Sequence, residues 1–211
     1  MTEMNRFITI EGVEGAGKTT QAQRLADALR RDGHDVVLTR EPGGTELGRR
    51  LRQLLLDESS LAPTSETELL LYLADRAEHV QRLIRPALDK GSVVIADRFS
   101  DSMLAYQGYG RGLPIDRVRA LDDFARADVM PALTVVLDLP PEEGMARILA
   151  TREGDRIERE DIDFHRRVRE GFQAIAREQP SRVVVIDARE DIADLAARIA
   201  ELARARLGTP S

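Results

Sequence analysis

Five stretches of the chain are uninterrupted runs of β-branched and other apolar residues: RFITIEG (6–12), DVVLTRE (35–41), SVVIADR (92–98), LTVVLDL (133–139) and RVVVIDA (182–188). Runs of this kind, without polar alternation, predict strands covered on both faces. Between them the apolar positions fall at helical spacing. KTTQAQRLADALRRDG puts Ala22, Leu25, Ala26 and Leu29 on one face and stops at Gly33, a residue suited to a helix C-terminus. SETELLLYLADRAEHVQRLIRPALDKG opens on a capping-box pattern, Ser65 with Glu68 three residues later, and stops before Gly91. IADLAARIAELARARL forms another amphipathic helix near the C-terminus. Strands alternating with helices predict parallel crossovers, hence an α/β fold with a doubly wound five-stranded parallel sheet flanked by helices. No repeat and no linker-like segment breaks the pattern, so residues 1–211 read as one domain.

In such a sheet, ligands sit beyond the carboxyl ends of the strands. Glu11, Glu41, Asp97 and Asp187 stand at or near those ends, so a site is expected there. Composition narrows the choice of ligand. A net charge of -6 argues against a polymeric nucleic acid partner, which demands basic patches. The chain has no cysteine, which excludes disulfides, thiolate nucleophiles and cysteine-bound metals. The N-terminal residues lack the basic and apolar regions of a signal peptide, and no run approaches the roughly 18 apolar residues of a membrane span. A cytoplasmic protein without a membrane partner is expected.

The chemistry begins at IEGVEGAGKTT (10–20). Gly12, Val13, Glu14, Gly15, Ala16, Gly17, Lys18, Thr19 and Thr20 follow a strand and open a helix, with four residues between the first glycine and Gly-Lys-Thr. This is the spacing of a phosphate-binding loop, whose backbone N–H groups and helix dipole face an anion. Lys18 then bridges the outer phosphates of a nucleotide, and the Thr19 hydroxyl ligates Mg²⁺. Asp97, ending a buried strand, is placed to support the same ion, and Arg98 beside it offers a fork of donors to another phosphate. A phosphate loop does not choose among functions. The Asn-Lys pair of a guanine-specific switch is absent from the chain. A small-molecule kinase, by contrast, needs a second anion site and a mobile cover bearing arginine.

In order along the chain stand EGVEGAGKTT, TREPGGTELG, LLLYLADRAEH, ADRFSDSMLAYQG and GDRIERE, together spanning residues 11–160. With these motifs the sequence resembles the thymidylate kinases, P-loop nucleoside monophosphate kinases that transfer phosphate from ATP to dTMP. The resemblance implies residue roles. Glu14 reaches the acceptor sugar, Arg52 and Arg98 clamp the acceptor phosphate, Tyr72 lies over thymine, and Arg76 points to the base edge. Ser102, Tyr106 and Gln107 wall the base and deoxyribose, and Glu41 of the Glu-Pro-Gly-Gly turn counts among the acceptor-binding residues. The segment LATREGDRIERE (149–160) corresponds to a lid. Bacterial members without an arginine in the phosphate loop supply one from this lid; here Arg152 and Arg156 both stand for that catalytic role. Arg147, just before the lid, is expected over adenine. The three histidines show no metal-ligand spacing and carry no assigned role. Leu69, Leu70, Leu71, Leu73, Val80, Leu83 and Ile84 exceed what one sheet face needs, which together with the resemblance implies a two-fold homodimer. The alternatives are a kinase for another nucleoside monophosphate and, at greater distance, a nucleotide-gated regulatory protein.

Overall fold

The computed structural model describes residues 6–57, 63–151 and 153–208. Each expected run forms a strand, shortened by one or two residues: β1 (Phe7–Gly12), β2 (Val36–Arg40), β3 (Val93–Asp97), β4 (Leu133–Asp138) and β5 (Val183–Asp187). They pair in parallel in the order β2-β3-β1-β4-β5, with Ile10 beside Asp97 on one side and Val135 on the other. From β1 the chain crosses to one edge of the sheet, and from β4 it steps to the other. Connections therefore diverge between β1 and β4, the crevice where such folds bind ligands.

The pleat sends alternate side chains into different layers. Ile8, Ile10, Val93 and Ile95 pack with Leu25 and Leu29 of α1 (Lys18–Arg31), while Phe7, Val94 and Ala96 join Val80, Ile84 and Phe99. The edge strands depart from the expectation of cover on both faces. Only Val36 of β2 is fully buried, and Val185 of β5 is exposed. The covering helices centre on the inner strands, so each outer strand keeps one thinly covered side.

Residues 65–90 form three pieces rather than one helix: α3 (Ser65–His79), a π-helical turn (Val80–Ile84) and α4 (Arg85–Asp89). The widened turn comes just before Pro86, which cannot donate to the helical ladder and sits in the first turn of α4. The expected Ser65–Glu68 capping box does not form. Thr64 is the cap, accepting from the Thr67 N–H, while the buried Glu68 carboxylate turns to Gln107, Arg111 and Arg156. Charged donors from other elements outcompete one backbone N–H. The remaining helices are α2 (Glu46–Leu56), α5 (Ser100–Met103) running into a π-helical segment (Leu104–Gly110), α6 (Ile115–Arg126), α7 (Pro141–Leu149), α8 (Ile162–Glu178) and α9 (Ile192–Leu207).

The apolar surplus read on 65–90 is largely used inside the subunit: Leu69, Leu73, Val80 and Ile84 are buried, and Leu70 is exposed. Exposed apolar residues do gather on neighbouring helices, with Leu47 and Leu54 on α2 and Leu121 and Phe124 on α6. Helix α3 packs against both. No described helix is long and apolar enough to cross a membrane.

Candidate active site

Helix α1 begins with Gly17 as its cap, at φ 88°, and no side chain bonds its first N–H groups. A helix start left in this state is an anion site, since unpaired N–H groups and the positive dipole end face the same point. Gly15 is also left-handed, at φ 70°, and a Cβ there would lie 2.3 Å from the Gly144 carbonyl oxygen. The loop therefore lies directly on α7, at the crevice between β1 and β4. The Lys18 ammonium donates to the Val13 carbonyl at 2.7 Å and stands 3.7 Å from Glu14. Ala16 is buried, whereas Thr19 and Thr20 are exposed on the first helical turn. Thr19 Oγ1 donates to Asp97 Oδ2 at 2.5 Å, which brings a hydroxyl and a carboxylate together at the loop's mouth.

Arg98 follows directly and holds a left-handed backbone, φ 74°, unusual for a residue with a side chain. Its guanidinium explains why that conformation persists. Nη1 donates to the Gly12 carbonyl and to Ser102 Oγ, and Nη2 donates to both Glu14 oxygens at 2.8 Å and to the Tyr106 hydroxyl. Burial alone would raise the Glu14 pKa, but Arg98 and Lys18 outweigh it and pull the carboxyl down to about 2. Glu11, three residues earlier, behaves oppositely. Buried beneath the site, it accepts from the Phe99 N–H and Ser102 Oγ, and burial with Asp101 nearby pushes it up to about 8.

Tyr72 and Arg76 stand one turn apart on α3, as their spacing predicts, and both line the same cavity. Arg76 is 3% exposed. Nε and Nη2 donate to Glu41, Nη1 donates to Asp122, and the Phe99 ring lies 4.7 Å from the guanidinium carbon. Glu41's other oxygen meets Nδ1 of the buried His79, whose Nε2 pairs with Thr39 Oγ1. Both oxygens of Glu41 are thus engaged in holding side chains, which makes it a supporting residue more than a direct contact. His79, left without a role by the sequence, is part of this support. Gln107 is likewise buried and donates to Glu68.

On the wall of the same cavity, Arg52 bonds only the Pro42 carbonyl among the described residues. Burial lowers its pKa, and the neighbouring Arg40 lowers it further. Asp155, on the same wall, opposes this only in part, so two guanidiniums facing one space favour an anion there. The cavity, about 310 Å³, runs from Gly17, Lys18 and Thr19 past Arg52 and Arg98 to Tyr72 and Arg76. It therefore joins a triphosphate-type anion site to a second cationic spot and an aromatic, donor-lined end.

The thymidylate kinase family model matches residues 10–199. The chain belongs to that family. It is 55% identical over 201 residues to the thymidylate kinase of Synechococcus sp. (strain JA-3-3Ab), covering 95% of this chain and 96% of the relative. Against the thymidylate kinase of Desulfovibrio desulfuricans the identity is 51% over 197 residues, covering 90% of each. The crystal structure of thymidylate kinase from Ehrlichia chaffeensis superposes with a TM-score of 0.76 at 37% identity, covering 93% of this chain and 97% of that one.

Of the segment 149–160, expected to act as a lid, Asp155, Ile157 and Glu158 line the cavity. Arg152 lies outside the described residues. Arg156 donates to the Leu55 carbonyl at 2.7 Å and to Glu68 at 2.6 Å, and not to the phosphate loop. Arg147 reaches the Gly15 and Ala188 carbonyls, bridging the phosphate loop and the loop after β5. Asp187, counted among the strand-end acids, pairs with Arg189 at the surface and takes no part in the cavity. Sequence reasoning missed Arg40, Glu68, Met103 and Asp122. Glu68 carried a readable signal, since Glu68, Tyr72 and Arg76 recur every four residues on one helix face. Asp122 carried none.

Proposed function

We propose that this chain transfers the γ-phosphoryl group of ATP to dTMP, giving dTDP for DNA synthesis. The observation that carries the reading is the continuous cavity, with an uncapped helix start at one end and Tyr72 with Arg76 at the other. ATP phosphates sit on the loop from Gly12 to Thr20, and Lys18 meets the transferring group. Arg147, with the loop after β5, takes the adenine side. Thr19 and Asp97 suit a hard, oxygen-preferring ion, because their oxygens already converge at the mouth of the loop. They would hold Mg²⁺, which when bound offsets the charge on the phosphates.

In the acceptor half, Arg52 and Arg98 hold the dTMP phosphate and Glu14 faces the sugar. Tyr72 stacks on the base, Arg76 donates to its edge, and Ser102, Tyr106 and Gln107 close the wall. The chain's task is to align two phosphates and cancel charge as the phosphoryl group moves, which needs no general base from the protein. Residues 1–211 act as one kinase domain whose lid, about 149–160, closes over the transferring group and brings Arg152 or Arg156 to it. The enzyme works in the cytoplasm as a two-fold homodimer formed on α2, α3 and α6, whose exposed apolar residues support that surface. Sedimentation at micromolar concentration tests the dimer, and a monomer there overturns it. A coupled ADP-release assay across dTMP, dUMP, dCMP and dGMP tests the activity. Preferred turnover of dTMP is expected, and preference for another monophosphate overturns the acceptor.

A further inference from the structure

Arg76 is gripped by two carboxylates that are far apart in the chain. Glu41, just past β2, receives Nε and Nη2 on the same oxygen, Oε2, at 2.9 and 2.6 Å. Two donors converging on one atom form a pivot: the guanidinium can still swing in its plane about that oxygen. Asp122, in the middle of α6, accepts from Nη1 on the far edge of the group and removes that freedom. The Phe99 ring below the plane limits tilt.

Charge balance does not require this second carboxylate. Glu41 already neutralises Arg76, and adding Asp122 buries an excess negative charge that Arg126 offsets only at 3.4 Å. Burying such a group is costly unless its geometry matters. Asp122 is 4% exposed and does not line the cavity, so it cannot contact a ligand there itself. Of the five guanidinium hydrogens, three go to the carboxylates and one faces the weak acceptor Met103 Sδ at 3.7 Å. The hydrogen left over, on Nη2, points wherever the two carboxylates aim it.

We infer that Asp122 is a positioning residue for base selectivity: through Nη1 it fixes the direction in which Arg76 presents its free N–H to the acceptor base. The inference rests on Arg76 reading the base edge. An N–H held in one direction favours the O4 carbonyl of thymine over the amino group of cytosine, and a swinging one discriminates less.

The experiment measures kcat and KM for dTMP and dCMP in the full-length protein and in Arg76→Ala, Asp122→Ala, Asp122→Asn and the Arg76→Ala/Asp122→Ala double variant. Asp122→Ala is expected to raise KM for dTMP about tenfold, the effect of one misplaced hydrogen bond, with kcat nearly unchanged and a smaller dTMP/dCMP ratio. Asp122→Asn keeps an acceptor oxygen and should retain the ratio to within about twofold. In the double variant the ratio should equal that of Arg76→Ala alone. If Asp122→Ala does not fold, Asp122→Leu, similar in shape and without an acceptor, is read in its place. A ratio that shrinks in Arg76→Ala but not when the acceptor at 122 is removed overturns the inference and leaves the base reading intact. A ratio unchanged in Arg76→Ala overturns the base reading, and the inference with it.

Discussion

Two arginines on the wall of one cavity use the same side chain under opposite conditions. Arg76 is neutralised by Glu41 and Asp122, which outweigh the effect of burial and hold its pKa above the ordinary arginine value. Arg52 makes no ion pair among the described residues, and burial with Arg40 beside it pushes its pKa down against an opposing pull from Asp155. A neutralised guanidinium keeps direction but little net field, which suits a neutral base. An unneutralised one keeps its field, which suits a dianion. Local charge balance thus separates two arginines that composition and spacing treat alike. Arg98, on the same wall, shares both characters, paired with Glu14 yet bonded to a backbone carbonyl and two hydroxyls.

The largest effect is expected where charge moves during the reaction. Lys18→Ala should cut kcat by about two to three orders of magnitude, as loss of one transition-state donor does, with the fold intact by circular dichroism. Retention of more than about a tenth of the rate would show that the loop does not hold the transferring phosphate. Next comes the direct test of the contrast between the two arginines. Arg52→Ala removes a charge-assisted bond, about 1.5–3 kcal/mol, and should weaken dTMP while sparing thymidine, which lacks the phosphate. Equal weakening of both, measured by calorimetric titration, would break the comparison.

A smaller effect concerns the framework beneath the site. Glu14, held at about 2 when folded against 4.5 unfolded, adds stability above pH 4.5 that is lost as pH falls towards 2. Glu11, raised to about 8, keeps its proton in the folded state while the unfolded chain releases it, so stability falls as pH rises from 4.5 to 8. Glu11→Gln should flatten that decline in urea titrations across pH. An unchanged slope would mean that Glu11 is ionised in the folded protein. The smallest effect lies at the base. The thymine methyl adds at most about 0.8 kcal/mol of burial, so dTMP should exceed dUMP by only about fourfold in kcat/KM. A much larger ratio would show that a feature other than Arg76 and simple burial reads the ring.

Much of this site is legible in the order of residues. The strand runs, the Gly17-Lys18-Thr19 loop and the four-residue step from Tyr72 to Arg76 are local patterns, and local patterns report local geometry. Thr64 shows the limit even there: two adjacent hydroxyl residues can each cap a helix, and the entry angle of the chain selects between them. The fate of Glu68 was hidden because its partners Gln107, Arg111 and Arg156 are 39, 43 and 88 residues away.

By itself the sequence determined the layered parallel sheet, the anion site at the start of α1 and the family, because each depends on periodicity or on spacing within a few residues. Only the tertiary structure decided which cations are neutralised and which are left facing the cavity. Arg76 meets Glu41 and Asp122 across 35 and 46 residues of chain, and Arg156 meets Leu55 across 101. Electrostatic interaction depends on distance in space and on burial, and neither is written in the order of residues.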